Sequence, residues 1–479
     1  MSNQVGMKKI ASAGIGYIFG GILIKGIAFI TTPVFSRLMT TKEFGVLNAY
    51  LSYESILAVL IGFQFAGCLK NAKIKYANMP NGINAFFSDL IVLLLIHSGI
   101  SFVIVNAFSN YIIALTGIES RLLLNLIIVN SFGNAAMTVY NSFVSLEYQY
   151  KKYVAISVFN ALANVALSLL LIFTVLSNDR SMARILGYVL PYVLISIYLV
   201  VTVFRKSRPN LHTIKTNSKF AYRFCAPLIP NGFAEIMLTQ YSKLSVDRNC
   251  GTAAMGVYSL AYNVYSIIAT VKLGMDYIVG PFYFDKRTSG NFEELRNIFS
   301  IYSRSLALIS VFVMLFCPEI VKILGDTEYY DARMSAIPLI GVSYFSFLCY
   351  MLSQEEYFVQ KTFIISGISI SAMLLNILLC NIFVSKFEAI GVAYCTLASF
   401  VVMFLLHFVA IKYYLNSKSF HWLGMFADGI FVTVMSILVE LIVDKWMYRI
   451  GIITILMAIS ALFVFRNFRH IIKLREKSN

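Results

Sequence analysis

The sequence predicts an all-α polytopic membrane protein with about 14 transmembrane helices. Hydrophobic residues make up 59% of its 479 residues and charged residues only 13%, whereas soluble domains contain about 45–50% and about 25%, respectively. A soluble fold of this size cannot bury so much apolar surface. The apolar residues also form long blocks, and a helix needs about 20 such residues to cross a bilayer. A bilayer is therefore the expected solvent for most of the chain.

Fourteen blocks of that length follow one another along the chain, and they are called spans 1 to 14 below. They lie at about residues 11–35, 44–68, 83–108, 121–146, 154–176, 184–204, 224–244, 254–280, 298–317, 334–354, 362–384, 389–411, 421–443 and 450–465. Their continuous apolar character excludes a transmembrane barrel, because barrel strands are segments of about ten residues with alternating polarity.

The basic residues predict the orientation of these spans. If the N-terminus is placed in the cytoplasm, 24 of the 39 lysines and arginines fall on the cytoplasmic side and 11 on the other side. Such a bias is typical of the cytoplasmic loops of membrane proteins. We therefore expect both termini in the cytoplasm and an even number of spans. The net charge of +16 then reports mainly this orientation and contact with anionic lipid headgroups.

An internal repeat predicts two lobes. A shift of 211 residues aligns 37–58 with 248–269, and seven of the 22 positions are identical. The identical pairs are Arg37/Arg248, Thr41/Thr252, Gly45/Gly256, Val46/Val257, Ser55/Ser266, Ile56/Ile267 and Ala58/Ala269. Six spans separate the copies, so both have the same orientation, as in lobes related by an axis along the membrane normal. The predicted domains are an N-lobe at 1–204, a basic cytoplasmic linker at 205–223, a C-lobe at 224–415, and helices 13 and 14 with a basic tail at 416–479.

Ionisable residues inside the spans mark the candidate site. A charged residue at mid-bilayer costs at least ~2.5–3.5 kcal/mol on insertion scales, so several of them need a wet cavity or charged partners. The basic candidates for a substrate-binding cavity are Lys25, Lys243, Lys272 and Arg304. The acidic candidates for ion coupling are Glu54, Asp89, Glu235 and Asp428.

Several of these charges have a structural alternative. The candidates within a few turns of a span end are Arg304, Lys243 and Lys272. Such side chains can extend to the headgroups, and Lys272 can also pair with Asp276 four residues later. Lys25 lies near the middle of span 1 and either lines the cavity or pairs with Glu54 or Glu235.

Neutral polar residues are further candidates for lining the cavity. They are Tyr262 and Tyr265 on span 8, Asn134 on span 4 and Asn160 on span 5. Asparagine commonly hydrogen-bonds neighbouring helices inside a membrane, and the same chemistry serves sugar hydroxyls. The tyrosines either pack in the protein or form a platform for sugars, and the sequence leaves both interpretations open.

No pattern typical of a metal, cofactor or nucleic-acid site is present in the sequence. The seven cysteines show no C-x-x-C spacing, the five histidines no H-E-x-x-H spacing, and no P-loop motif occurs. No loop is long enough for a folded nucleic-acid-binding module. We therefore expect no cofactor, no metal and no nucleic-acid partner.

These features favour a transporter of an anionic, polar cargo. A lysine inside the membrane attracts a phosphate group that would otherwise be desolvated at a large cost in free energy. The apolar outer faces of the spans would let a lipid tail stay in the bilayer. Since no nucleotide site is present, an ion gradient is the expected source of energy.

Three motifs resemble those of the Wzx-type O-antigen flippases, which belong to the multidrug/oligosaccharidyl-lipid/polysaccharide (MOP) exporter superfamily. They are Ala226–Pro230, Gly256–Tyr262 and the turn with Pro33, Ser36–Leu38 and Glu43–Gly45. The resemblance implies alternating access of two six-helix lobes around a cationic cavity, and Lys25 matches the basic residue of the family in helix 1. The other charges match it only as intramembrane charges in similar places.

The resemblance also implies a substrate, partners and a location. The substrate is an undecaprenyl-diphosphate-linked oligosaccharide, moved from the cytoplasmic to the periplasmic leaflet of a bacterial inner membrane during lipopolysaccharide synthesis. Its expected partners are membrane lipids and other O-antigen assembly proteins. A drug or cation antiporter of the same superfamily is the first alternative, although its cavity would be mostly acidic. A polysaccharide polymerase or ligase is the second, but this enzyme class needs a larger outer loop than about 318–333.

Overall fold

The computed structural model describes residues 7–77, 79, 82–118, 120–458 and 460, without the side chains of 7–15, 18, 272–278 and 281. These residues form helices joined by short turns, with no strand among them, which confirms the predicted all-α fold. The α-helices are α1 Met7–Leu38, α2 Thr41–Gly62, α3 Leu69–Lys75, α4 Gly82–Ala107, α5 Ser109–Thr116, α6 Arg121–Leu146, α7 Tyr150–Phe173, α8 Arg180–Lys206, α9 Leu211–Cys225, α10 Ile229–Cys250, α11 Thr252–Thr288, α12 Phe292–Leu315, α13 Cys317–Leu324, α14 Ala332–Phe358, α15 Thr362–Val409, α16 Trp422–Leu441 and α17 Trp446–Ala458.

Eleven helices in the described part of the chain are long and apolar enough, by length and composition, to cross a membrane. The longest, α15, leaves helical geometry at Glu388, where φ is 50°, and thereby supplies spans 11 and 12. Span 7 corresponds to the more polar α10, and span 14 to the shorter α17. The predicted spans thus map onto α1, α2, α4, α6–α8, α10–α12, α14, both halves of α15, α16 and α17.

The helices form two lobes with two further helices outside them. The N-lobe consists of α1, α2, α4, α6, α7 and α8, and the C-lobe of α10, α11, α12, α14 and both halves of α15. Helix α16 packs on α12 and α14 of the C-lobe, and α2 packs against both α10 and α11 across the lobe interface. This grouping of helices follows the predicted two lobes, and α2 is the main element that contacts both groups.

The two repeats meet in a reciprocal contact where α2 crosses α11. A Cβ atom on Gly45 would lie 1.9 Å from the carbonyl oxygen of Thr252, and one on Gly256 would lie 2.0 Å from the carbonyl oxygen of Thr41. These residues are equivalent under the 211-residue shift, and a two-fold axis produces such a reciprocal contact. Only glycine lets the two backbones approach so closely. We call this contact the glycine crossing; the charge bias places it at the predicted outer end of the bundle.

A capping box fixes the start of α2 beside the glycine crossing. The Thr40 hydroxyl accepts a hydrogen bond from the Glu43 backbone N–H at 3.3 Å, and the Glu43 carboxylate accepts one from the Thr40 backbone N–H at 2.8 Å. The motif satisfies two backbone donors that a helix otherwise leaves without partners. The sequence in this turn therefore determines where α2 begins and how Gly45 meets the other lobe.

The linker between the lobes is more ordered than the sequence predicts. Residues 205–223 are predicted as a basic loop, but most of this segment belongs to the amphipathic helix α9. Its buried side is formed by Asn217, Ala221 and Cys225, spaced four residues apart, which pack toward α4 and the turn after α2. The frequent basic residues obscure this spacing in the sequence, because they occupy the exposed side of the same helix.

Candidate functional site

Lys25 lies on the side of α1 that faces the other lobe. Its side chain is exposed and forms no ion pair with any described residue. Ser36, eleven residues later and within about 20° on an ideal helix, donates a hydrogen bond to the Leu324 carbonyl of the α13 segment at 2.5 Å. The exposed apolar residues Phe19 and Ile30 point more than about 100° away from Lys25. Lys25 is therefore on the same side of α1 as this contact with the C-lobe, which favours a position beside the gap between the lobes.

A different side of α1 packs on α7. A Cβ on Gly16 would meet the Tyr150 ring, and one on Gly20 would meet Val154. The Gly-x-x-x-Gly pattern thus serves close helix packing inside the N-lobe. The side of α1 that carries Lys25 does not take part in this packing on α7.

Glu54 lies behind the wall of a cavity between the lobes. Its carboxylate is buried and accepts a hydrogen bond from the Asn134 side-chain amide at 3.0 Å. Asn134 also lines a cavity of about 210 Å³, whose other walls include Gln64 at the end of α2 and Ile236 of α10. We call this cavity the inter-lobe cavity. One side chain thus separates Glu54 from a space that both lobes line.

The interior of the N-lobe contains more polar groups than the sequence candidates alone. Asn160 is buried, and its carbonyl oxygen finds no partner among the described residues. One turn later along α7, Asn164 accepts a hydrogen bond from Arg184, which also donates to the Ser168 hydroxyl at 2.8 Å. The Arg184 guanidinium lies 3.7 Å from the centre of the Phe35 ring. The sequence suggests a loop position for Arg184, but the structure places its charge between α7, α8 and α1.

Three C-lobe candidates come together on α10 and α11. The Lys243 ammonium lies 4.6 Å from the centre of the Tyr262 ring, and the Tyr262 hydroxyl is 2.9 Å from the Ser242 hydroxyl. The Tyr265 ring packs edge-on against Tyr262 at 5.4 Å. The two tyrosines are therefore packed side chains, and the Tyr262 ring also contacts the ammonium group of Lys243. The side chains of Lys272 and Asp276 lie outside the described residues.

Arg304 and Asp428, which the sequence places in two different roles, form a pair. Their nearest nitrogen and oxygen atoms are 3.4 Å apart, and the Ser303 hydroxyl donates a second hydrogen bond to the Asp428 carboxylate at 3.0 Å. The pair joins α12 to α16, which lies outside the repeat. Since each charge has an opposite charge beside it, the geometry favours a structural link.

Replacing Asp428 with asparagine is expected to leave the ion dependence of transport unchanged. The Arg304 side chain is 45% exposed and that of Asp428 only 11%, so the value of about 0–1 kcal/mol for solvent-exposed ion pairs is a lower bound for this pair. A thermal unfolding curve should therefore shift to lower temperature, and a double-mutant cycle with Arg304→Gln should measure the coupling. A transport rate that no longer responds to the proton gradient in Asp428→Asn would contradict this structural role.

The two remaining acidic candidates lie in different surroundings. Asp89 is buried in α4 and accepts a hydrogen bond from the Asn217 amide at 2.8 Å, while Asn217 accepts one from the Tyr76 hydroxyl at 2.5 Å. Asp89 thus attaches α9 to the N-lobe. Glu235 is exposed on α10 and accepts a hydrogen bond from Asn231 at 3.2 Å. The structure does not bring these carboxylates together with Glu54.

A buried charged cluster at one end of the C-lobe is absent from the sequence candidates. The Glu355 carboxylate accepts three hydrogen bonds from two nitrogens of Arg287 at 3.1–3.3 Å, and the Glu356 carboxylate lies 2.8 Å from a ring nitrogen of His407. Both glutamates are completely buried, although the sequence places them in a cytoplasmic loop. The only sequence signal is a pair of acidic residues that directly follow a span.

Comparisons with known proteins identify the family and the fold of the chain. A family profile described as "Polysaccharide biosynthesis protein" matches residues 11–275. The lipid II flippase MurJ in an inward closed conformation is similar in structure, with a TM-score of 0.70 at 14% identity, covering 96% of this chain and 99% of that one. An inward-facing multidrug resistance transporter of the MATE family and the MOP superfamily has a TM-score of 0.64 at 14% identity, covering 84% of this chain and 96% of that one.

A MOP superfamily transporter from Pyrococcus furiosus, described as having a binding pocket of reverse polarity, has a TM-score of 0.57 at 14% identity and covers 89% of this chain and 96% of that one. No curated protein sequence matches the chain. At these identities the solved structures establish the fold, which is that of the MOP superfamily.

Proposed function

This chain belongs to the polysaccharide biosynthesis protein family, and we propose that it is a flippase for a lipid-linked oligosaccharide. The substrate we propose is an undecaprenyl-diphosphate-linked O-antigen unit, moved from the cytoplasmic to the periplasmic leaflet of a bacterial inner membrane. Both termini then lie in the cytoplasm. The observation that carries the proposal is Lys25, an exposed intramembrane cation without an ion-pair partner among the described residues, on the side of α1 where Ser36 contacts the other lobe.

The chemistry of the gap supports an anionic substrate. A diphosphate that enters a membrane protein loses hydration, and a cation in the same place compensates for that loss. Lys25 and Lys243 are the two described lysines that we propose for this role, because Arg304 already lies beside a carboxylate. Asn134 on the wall of the inter-lobe cavity offers an amide to sugar hydroxyls.

We propose Glu54 as the residue that couples transport to an ion gradient. Its carboxylate is buried directly behind the cavity wall and contacts Asn134, so a change in its protonation is transmitted to a cavity-lining side chain. Asp89 and Asp428 are weaker candidates, because their carboxylates attach α9 and α16 to the rest of the protein. Alternating access would then arise from movement of the lobes about the α2 interface.

Replacing Glu54 with glutamine is expected to remove the part of transport that depends on the proton gradient. Glutamine keeps the shape and a hydrogen bond to Asn134 but cannot exchange a proton. The measurement is flipping in proteoliposomes with and without a protonophore. Glu293→Gln, on the exposed first turn of α12, is the matched control. A Glu54→Gln protein that still responds to the protonophore as the wild type does would exclude this carboxylate as the carrier.

The proposed function is tested by comparing two cargoes in the same preparation. The purified protein is reconstituted in proteoliposomes with a fluorescent undecaprenyl-diphosphate-linked oligosaccharide, or with the cationic dye ethidium. We expect movement of the lipid-linked sugar between leaflets and no transport of the dye. Transport of ethidium without movement of the sugar would favour the drug antiporter and reject the flippase. In cells, the gene is expected to restore surface O-antigen to a matched strain that lacks its own flippase.

A further inference from the structure

One side of α6 carries polar residues along two cavities. They are Asn134, Thr138, Asn141, Ser142 and Ser145, at relative positions 0, 4, 7, 8 and 11 of the helix, which share one face. The first two line the inter-lobe cavity, and the last three line a second cavity of about 270 Å³. Ala66 lines both cavities. We call the second cavity the α6 pocket; it lies at the predicted cytoplasmic end of the N-lobe.

Two aromatic rings form a fixed wall of the α6 pocket. The rings of Tyr17 from α1 and Tyr153 from α7 meet at an interplanar angle of 64°, with their centres 5.3 Å apart. The Tyr17 hydroxyl donates a hydrogen bond to the Val144 carbonyl at 3.3 Å, which holds its ring in place. A sugar ring has an apolar face and polar hydroxyl groups at its edge. Aromatic rings beside hydroxyl and amide groups are therefore suited to bind it.

The α6 pocket contains polar groups that form no ion pair or hydrogen bond with the described residues. Lys70 lines it, is exposed and forms no ion pair in the described part of the chain. The other lysines of α3 differ, since Lys73 pairs with Glu147 at 3.0 Å and Lys75 lies 4.1 Å from the centre of the Phe220 ring. The buried side-chain oxygen of Asn141 has no hydrogen-bond partner among the described residues, which is unusual for a buried polar atom.

We propose that the α6 pocket binds the phosphorylated sugar headgroup of the lipid-linked substrate before it moves along α6 into the inter-lobe cavity. This inference rests on the proposed function. Lys70 faces the phosphate, Asn141 and Ser142 bind sugar hydroxyls, and the tyrosine wall contacts the ring. The volume of about 270 Å³ is close to the lower limit of ligand pockets, about 300 Å³, and therefore suits a single sugar with its phosphate.

The same chemistry could recognise a headgroup on a lipid or a free diphosphate, and binding measurements separate these sources. The wild-type protein in nanodiscs is titrated with farnesyl-diphosphate-linked N-acetylglucosamine and, separately, with inorganic pyrophosphate. We expect the lipid-linked sugar to bind and pyrophosphate to bind much more weakly. If pyrophosphate binds as tightly, and with the same dependence on Lys70, the assignment to a lipid-linked headgroup is wrong.

The decisive variant is Lys70→Gln, and Lys75→Gln on the same helix is its matched control. Loss of a charge-assisted hydrogen bond is expected to weaken binding of the lipid-linked sugar by about tenfold or more, whereas the control should bind as the wild type does. Asn141→Leu, which fills the pocket, is a second variant with the same expected direction. Thermal unfolding of each protein verifies that it is folded.

Equal affinity of Lys70→Gln, Asn141→Leu and wild type would overturn the inference while leaving the proposed function intact. Failure of the wild type to bind or to flip any lipid-linked sugar would instead reject the proposed function itself.

Discussion

Replacing Lys25 with alanine is expected to abolish surface O-antigen in a strain that depends on this protein. Lys25 lies on the side of α1 where Ser36 contacts the other lobe, and no described carboxylate pairs with it, so its charge is available to a diphosphate. Removing one partner of a desolvated charge pair costs about 2–5 kcal/mol, which corresponds to about 30-fold or more in affinity. The measurement is the lipopolysaccharide pattern on a gel, at matched amounts of protein in the membrane.

Lys25→Arg is the control for this prediction, because it keeps the charge. It should retain most of the activity, whereas Lys25→Ala and Lys25→Met should both lose it. If the alanine variant is present at wild-type level and still supports normal O-antigen, Lys25 is not part of the substrate path. An alanine variant that is absent from the membrane would point to a role of Lys25 in folding.

Adding a single methyl group at the glycine crossing is expected to keep the lobes apart at the predicted outer end. In Gly45→Ala the new Cβ would lie 1.9 Å from the Thr252 carbonyl oxygen, so the two backbones must separate. Overpacking of this kind costs about 1–3 kcal/mol, which shifts a two-state equilibrium by about fivefold to 150-fold. Because the contact is reciprocal, Gly256→Ala should have the same effect as Gly45→Ala.

Thiol labelling measures this opening. Ser36→Cys places a thiol beside Leu324 at a position that is 1% exposed in the closed arrangement. In the Gly45→Ala background, labelling from the outside by a membrane-impermeant maleimide should become faster, and transport should slow because closure is disfavoured. Gly99→Ala in α4 is the matched control, since nothing lies within 4 Å of the added Cβ. Equal labelling rates in all three backgrounds would show that the crossing does not hold the lobes together.

Much of the fold follows from properties that are local in sequence. Apolar blocks of about 20 residues determine that helices cross a membrane, and the 211-residue repeat identifies Gly45 and Gly256 as equivalent positions. The helical period also predicts that polar residues of span 4 share one face, and that face lines both cavities. Many span bounds are predicted to within a few residues, but α11 continues eight residues beyond the predicted end at 280 and α12 begins six residues before 298, because both helices extend into polar sequence.

The candidate site could be predicted only in part. Helical periodicity places Lys25, Glu54 and Asn134 on defined sides of their helices, but it does not identify the neighbouring helix. The hydrogen bond between Glu54 and Asn134 joins residues 80 positions apart. Predicted roles for Lys25, Lys243 and Glu54 therefore remain predictions about function, even where the positions of their side chains are known.

The apolar blocks of the sequence are sufficient to predict a membrane as the solvent and helices as the structural class, and the repeat and the charges inside the spans are also visible there. Which of those charges have partners depends on the tertiary structure. Arg304 and Asp428 lie 124 residues apart and meet between α12 and α16, whereas Glu355 and Glu356 are buried next to Arg287 and His407. The physical reason is that a charge is stabilised by groups that surround it in space, and helices distant in sequence supply those groups.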